Sequence, residues 1–202
     1  TTGTRSSSQV RNGIAWFARL SRDTRHLNVR AHAVGISPDF SADMGFIERN
    51  DQADYGLDII PHIQSNGRSW YNEIRPMFFY NRTYNYSGSQ YTDETGSFIL
   101  EGDFPHASWA GTENNQRMIR LGNRVFRAID RHAVWAGTNR WRGVRPWGLY
   151  VWGDQVVFEE AVRGHDYRWE LGADLRFSSQ FDGSLSIVNA TVWREQNDSR
   201  FA

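Results

Sequence analysis

Carboxylates supply most of the chemistry this chain could do, and they crowd one segment. Asp39, Asp43, Glu48, Asp51 and Asp54, with Arg49 among them, fall within Ile36 to Asp54, ISPDFSADMGFIERNDQAD. Such a set could ligate calcium through oxygen atoms or provide two acids for glycan hydrolysis. The spacing matches no EF-hand loop, however. The plainer reading is a solvated loop in which one or two acids bond to nearby backbone N–H groups and Arg49 pairs with one of them. Asp39, Asp43, Glu48, Arg49 and Asp51 are therefore the candidates for ligand binding or for lining a lumen. No residue is assigned a catalytic or metal-binding role, and no cofactor is expected.

Other reactive constellations are missing. The histidines at 26, 32, 62, 106, 132 and 165 never fall into an H-E-x-x-H type of spacing. There is no Gly-x-Ser-x-Gly nucleophile motif and no phosphate-binding glycine loop. An acid pair assembled from distant strands stays open. With 23 basic and 23 acidic residues and no compact basic tract, nothing favours a nucleic-acid partner. Cysteine is absent, which removes disulfides and thiolate metal sites.

The elements that must position these residues read as strands. Ile14, Trp16, Ala18 and Leu20 share one face with polar residues between them, and Leu27, Val29, Ala31 and Ala33 answer across a turn at Arg22-Asp23-Thr24. Beyond the acidic segment, Tyr55, Leu57 and Ile59 alternate with Gly56 and Asp58, and Ser65-Asn66-Gly67 supplies turn chemistry. The return strand, Trp70 to Tyr80, contains Pro76, for which a bulge is expected because proline cannot donate to a ladder. Asn81 to Gly96 reads as a long polar loop. Residues 113–142 read as mixed, since Val125, Phe126, Ile129 and Ala133 fit helical spacing nearly as well as strand spacing. The cleanest alternation is Tyr167 to Ser178, with Trp169, Leu171, Ala173, Leu175 and Phe177 against Arg168, Glu170, Asp174 and Arg176. One apolar and one charged face suit a wall between lipid and water.

Composition agrees with such a wall. Aromatics make up 14% of 202 residues, with nine tryptophans and eight tyrosines, while the mean hydropathy is −0.65. No apolar run is long enough for a transmembrane helix, but alternating barrel strands escape that test. Tryptophans could form interfacial girdles, a sandwich core or a sugar-stacking platform. Trp16 and Trp169 lie on apolar faces, whereas Trp141, Trp147 and Trp152 sit near Arg140, Arg142 and Arg145, and girdle or core is the reading adopted. The expected fold is all-β and antiparallel, an outer-membrane-like β-barrel or part of one, with a soluble β-sandwich as the alternative. Residues 1–202 form a single β domain, expected to be a fragment of a longer chain.

The acidic segment also carries a resemblance. Ser37-Pro38-Asp39-Phe40 followed by Met44-Gly45-Phe46-Ile47-Glu48-Arg49-Asn50-Asp51 resembles the pattern SPDFN, then GF-x-x-R-x-D, of the family called domain of unknown function 5916. Ser41 and Ala42 depart from its Asn-rich stretch. The resemblance implies a barrel-like C-terminal region of bacterial envelope proteins, many of which carry a family 9 type carbohydrate-binding module. It places the chain in the bacterial outer membrane, with membrane lipid, glycan and other envelope proteins as partners. It supplies no established mechanism. The expected function is a barrel module acting as a pore or envelope anchor linked to glycan binding or uptake. A membrane-associated polysaccharide hydrolase and a soluble carbohydrate-binding sandwich are the alternatives. Because no nucleophile, base or metal set is assembled, the non-enzyme reading comes first. The loop's apolar residues, Met44, Phe46 and Ile47, are expected to tuck it into the lumen.

Overall fold

Alternation of residue type along each segment becomes alternation of face in a single antiparallel sheet. The computed structural model describes residues 13–40, 50–178 and 180–194. Its strands are β1 (Ala15–Asp23), β2 (Leu27–Ile36), β3 (Gln52–Pro61), β4 (Ile63–Gln64), β5 (Glu73–Tyr84), β6 (Tyr91–Phe104), β7 (Ser108–Leu121), β8 (Arg124–Thr138), β9 (Val144–Val157), β10 (Val162–Arg176) and β11 (Asp182–Arg194). Each long strand pairs with its neighbours in chain order, and the short β4 pairs with β5. The sheet is not closed, since β1 and β11 are its two edges.

Two adjacent rows of register partners show what the pattern accomplishes. One runs Ser21, Arg30, Asp58, Phe79, Ser97, Asn115, Arg131, Gly153, Asp166, Val192. The row one residue over runs Arg22, Val29, Ile59, Phe78, Phe98, Asn114, His132, Trp152, Tyr167, Thr191. Successive residues of a strand point to opposite faces, so the first row and its like form a polar face and the second a face rich in apolar and aromatic side chains. Thr95, Asn115, Arg117, Ala133, Val151 and Arg168 of the polar face, from β6 through β10, border one concavity of about 610 Å³. The sheet must curl toward that side for five strands to share it.

Burial is inverted relative to a soluble domain. On β10, Leu171 is 59% exposed while the side chain of its neighbour Glu170 is only 16% exposed. Leu20, Leu57, Phe78, Leu100 and Ile187 are likewise exposed on the convex face. The only large, fully buried side chain among the described residues is Phe126, packed with Ile119, Ile129 and Val156 where β7 to β10 meet their short turns.

Three local expectations are corrected. Asn81 to Gly96 is not one long loop: β5 runs on to Tyr84, β6 begins at Tyr91, and only 85–90 turns. Its tyrosines and threonines are good strand formers, and polarity there marks a side-chain environment rather than a loop. Residues 113–142 are β7 and β8, joined at 122–123, and then a connection at 139–143. The helix-like spacing of Phe126 and Ile129 has a physical source: Ala128 takes a φ of 50° and the register shifts between Arg117 and Ile119, so residues three apart reach the same cluster. Finally, no register shift marks Pro76; the one on β5 falls between Thr83 and Tyr84. Pairing of β3 with β5 ends at Phe78 and that of β4 begins at Ile74, so no strand on that side requires the missing N–H.

Candidate functional site

The acidic segment contributes its two feet to the described structure. Ser37 clamps the first: its N–H donates to the Ile14 carbonyl at 2.9 Å and its hydroxyl accepts from the Ile14 N–H at 2.8 Å. Phe40 N–H donates to the Ser37 carbonyl at 3.1 Å, closing the turn that Pro38 and Asp39 start. At the second foot, the Asn50 amide donates to the Pro38 carbonyl at 2.8 Å, joining the two. Asp51 has a φ of 59°, and its carboxylate accepts the Tyr86 N–H at 3.1 Å, tying the foot to the β5–β6 turn. Asp39 and Asp51 are both exposed. Asp43, Glu48 and Arg49, with Met44, Phe46 and Ile47, lie outside the described residues. Among the described residues no group of three His, Asp or Glu side chains could hold a metal ion.

The larger assembly of charge is on the concave wall. Arg75 stands at its centre on β5, with Nη1 2.7 Å from both Glu73 Oε2 and Asp103 Oδ2 and Nη2 3.5 Å from Glu101. Glu73 also meets His62 Nδ1 at 2.7 Å, and His62 Nε2 is 3.1 Å from the Asn28 amide nitrogen. A second network surrounds Asp54, which accepts from Asn81 at 3.0 Å and Thr83 at 2.7 Å and lies 3.5 Å from His32 Nε2. Arg117 pairs with Asp93 at 2.7 Å, Arg131 with Asp166 at 2.9 Å and Arg168 with Glu170 at 2.6 Å. Sequence reasoning named the alternation of these strands but not these clusters, because all but the Arg168–Glu170 pair within β10 join residues from two or three strands. Register was the missing signal.

Imidazole–carboxylate contacts here do not assemble a nucleophile. His165 Nδ1 lies 2.8 Å from Asp154, whose other oxygen binds Arg163. No hydroxyl is within hydrogen-bond distance of the His165 or His62 ring among the described residues, so the Ser–His geometry of acyl transfer is not formed.

Tryptophans divide between the faces, which alters their expected grouping. Trp16, Trp152 and Trp169 are on the convex side, in register with Gly35, Tyr167 and Tyr150. Trp109, Trp135 and Trp147 share the concave side with the charged rows. Each of these three leans on a glycine of a neighbouring strand. A Cβ at Gly111 would stand 2.4 Å from Cε2 and Cζ2 of Trp135 and 2.7 Å from its Nε1. At Gly172 it would meet Trp147 at 2.5 to 3.0 Å, and at Gly137 it would meet Trp109 at 2.4 Å. Any larger residue would push the ring off. For Trp135 the ring-junction carbon Cε2 is as near as any atom, which is the geometry of a face; an edge-on approach would leave Cε2 the farthest of the three. Trp147 is thus part of the concave wall, not of a girdle with Trp152.

Aromatic rings do gather at both strand ends. Tyr55 and Tyr91 contact Tyr84 at 6.2 and 6.0 Å, and Tyr167 contacts Trp193 at 4.8 Å at one end. Trp70 stacks on Phe104 at 5.6 Å at the other. The first group encloses an ion pair, Arg82 with Glu94 at 3.1 Å, with Arg82 over the Tyr91 ring at 4.9 Å. Comparison with protein-family models, with curated proteins and with solved structures finds no match to this chain.

Proposed function

We propose that this chain is a wall of an outer-membrane-like β-barrel that acts as a pore or an envelope anchor. The observation that carries the reading is the inverted burial of the sheet: exposed Leu20, Leu57, Leu171 and Ile187 on the convex face, ion-paired arginines on the concave one. In water that arrangement exposes a large apolar area that a soluble monomer covers. In a bilayer it is the low-energy one, with apolar side chains in hydrocarbon and charges around an aqueous lumen. Strands of Ser108–Leu121 or Val162–Arg176 exceed the 9–11 residues, roughly, that a tilted strand needs to cross.

Two further features support it. The aromatic groups at both strand ends suit the two membrane interfaces, where ring and polar tip are both accommodated. Polar residues on the convex face of β7 and β8 satisfy one another: Asn114 lies 3.1 Å from His132 Nδ1, and Gln116 donates to Asp130 at 3.0 Å. Each contact offsets part of the cost of placing these groups against hydrocarbon. That no helix among the described residues could cross a membrane does not bear on strands. The resemblance of Ser37 to Asp51 to domain of unknown function 5916 points the same way, and with the wall we propose an address in the bacterial outer membrane. The hydrolase alternative gains no assembled site.

Extraction decides between wall and soluble domain. The full-length protein is expected to need detergent for release from membranes and to run faster on a gel before heating than after. A freely soluble monomer with heat-independent mobility would remove the reading.

A further inference from the structure

The three concave tryptophans form a surface that neither a pore nor an anchor requires. Trp109, Gly137, Trp147 and Gly172 are register partners in one row, and Gly111, Trp135 and Leu149 in the row two residues along, on the same face. Each indole is pinned against a glycine, which leaves its other face directed away from the wall. All three are half-buried, the exposure of a plate lying on a surface. Trp135 borders the 610 Å³ concavity together with Glu113, Arg117, Arg131 and Arg168. Trp109 and Trp147 sit two strands apart, about 10 Å, a span that two pyranose rings cover.

We infer that Trp109, Trp135 and Trp147 form a stacking platform for a neutral oligosaccharide on the concave wall. This inference rests on the proposed pore reading and adds the class of solute. Flat aromatic faces held rigidly apart match the C–H faces of pyranose rings, since the π face carries partial negative charge and those hydrogens partial positive charge. An apolar ligand would match the rings but not their surroundings, where hydroxyl groups instead find donors and acceptors. Glu113 makes no ion pair among the described residues and offers a carboxylate acceptor beside Trp135. The neutral class follows from charge balance around Trp135: Arg117 is neutralised by Asp93, Arg131 by Asp166 and Arg168 by Glu170, so no unpaired cation borders that ring to call for a uronate or phosphate, while Arg145, on the Trp147 side, stands in register with Asp174.

Planar-bilayer recording of the full-length protein tests this, with maltohexaose and cellohexaose as neutral probes and hexagalacturonate as the anionic one. A neutral hexaose is expected to interrupt the potassium current, and Trp135→Ala or Trp147→Ala to weaken that block about tenfold, the equivalent of one lost stacking contact. Trp135→Phe keeps most of the block and Trp152→Ala, on the convex face, all of it. If truncation prevents folding, judged by heat-dependent gel mobility, Trp135→Leu keeps the glycine covered and is expected to lose the block equally. An open channel that no neutral hexaose blocks, a block indifferent to Trp135 and Trp147, or one specific for hexagalacturonate would overturn the inference and leave the pore standing. Saturation-transfer NMR of detergent-solubilised protein reads the same contact where no current flows: hexaose signal lost in Trp135→Ala would then support the platform and count against the pore, and no signal would overturn both.

Discussion

At the scale of single residues, the concave wall separates charges that matter to stability from charges that do not. Arg75 is 21% exposed and bonds three carboxylates from two strands. Arg30 is 47% exposed and stands 3.8 Å from Asp58. Removing the first leaves Glu101 and Asp103 with no other cation paired to them among the described residues and Glu73 with the His62 imidazole alone; removing the second exchanges a loose pair for water. We expect Arg75→Met to cost about 1.5–3 kcal/mol, the range for hydrogen bonds to charged groups, and Arg30→Met about 0–1 kcal/mol. Urea unfolding in lipid vesicles, followed by tryptophan fluorescence, measures both. Equal losses would show that Arg75 does not organise the wall. Arg75→Lys should recover only part of the loss, because an ammonium cannot present the guanidinium's fork to Glu73, Asp103 and Glu101 together. The tie from Asp51 to Tyr86 N–H is of a different kind. It holds the foot of the acidic segment to a neighbouring turn and is the structural side-chain bond that the plain reading of the segment anticipates.

At the scale of elements, β10 shows how a two-residue period acts as a boundary. It pairs along its length with β9 and β11, so neither edge is free and only its two faces differ. Trp169 and Leu171 are exposed on one and Arg168 and Glu170 bond each other on the other. Spin labels at Leu171 and Glu170 of the vesicle-reconstituted protein are expected to report lipid contact at the first and water contact at the second. Leu171→Arg should destabilise the protein by about 2–4 kcal/mol if the position is at mid-depth. Matching accessibilities would mean that the convex face is not against lipid. The bulged start of β8 illustrates the opposite case. There, Ala128 breaks the period and sends Phe126 and Ile129 to one apolar cluster, capping the wall near its short turns.

At the scale of the molecule, the curved sheet distributes charge unevenly. Asp54, Asp58, Glu73, Asp93, Glu101 and Asp103 of β3, β5 and β6 belong to the polar rows or bond within them, and Arg75 is the arginine among them on those strands. A lumen lined by such a strip lowers the energy of cations inside it. The reversal potential across a potassium chloride gradient is therefore expected to show cation selectivity, and Asp54→Asn with Asp58→Asn to reduce it. Anion selectivity in the unmodified protein would show that this strip does not set the potential of the channel. In the proposed barrel the sheet's free edges, β1 and β11, would have to be paired, because unpaired N–H and C=O groups do not persist in hydrocarbon.

Much of this was legible in the residues alone. Alternation from Trp16 to Leu20, from Leu27 to Ala33 and from Trp169 to Leu175 determined strands, their hairpin order and the separation of an apolar from a charged face, because side-chain direction in a strand depends only on position along the chain. The turn at Ser37-Pro38-Asp39 was legible for a similar reason: proline and a side chain acting on nearby backbone are local. Three things depended on tertiary structure. Which acids meet which arginines is a matter of register across strands, so the Arg75 cluster joins residues 73, 75, 101 and 103, whose spacing in sequence predicts nothing. Which side of the sheet is concave depends on the curl of all the strands together, and that alone assigns Trp147 to the concave wall and Trp152 to the convex face. Finally, the seat of each indole on a cross-strand glycine joins Trp135 to Gly111 and Trp109 to Gly137, contacts that exist only once β7 and β8 are aligned.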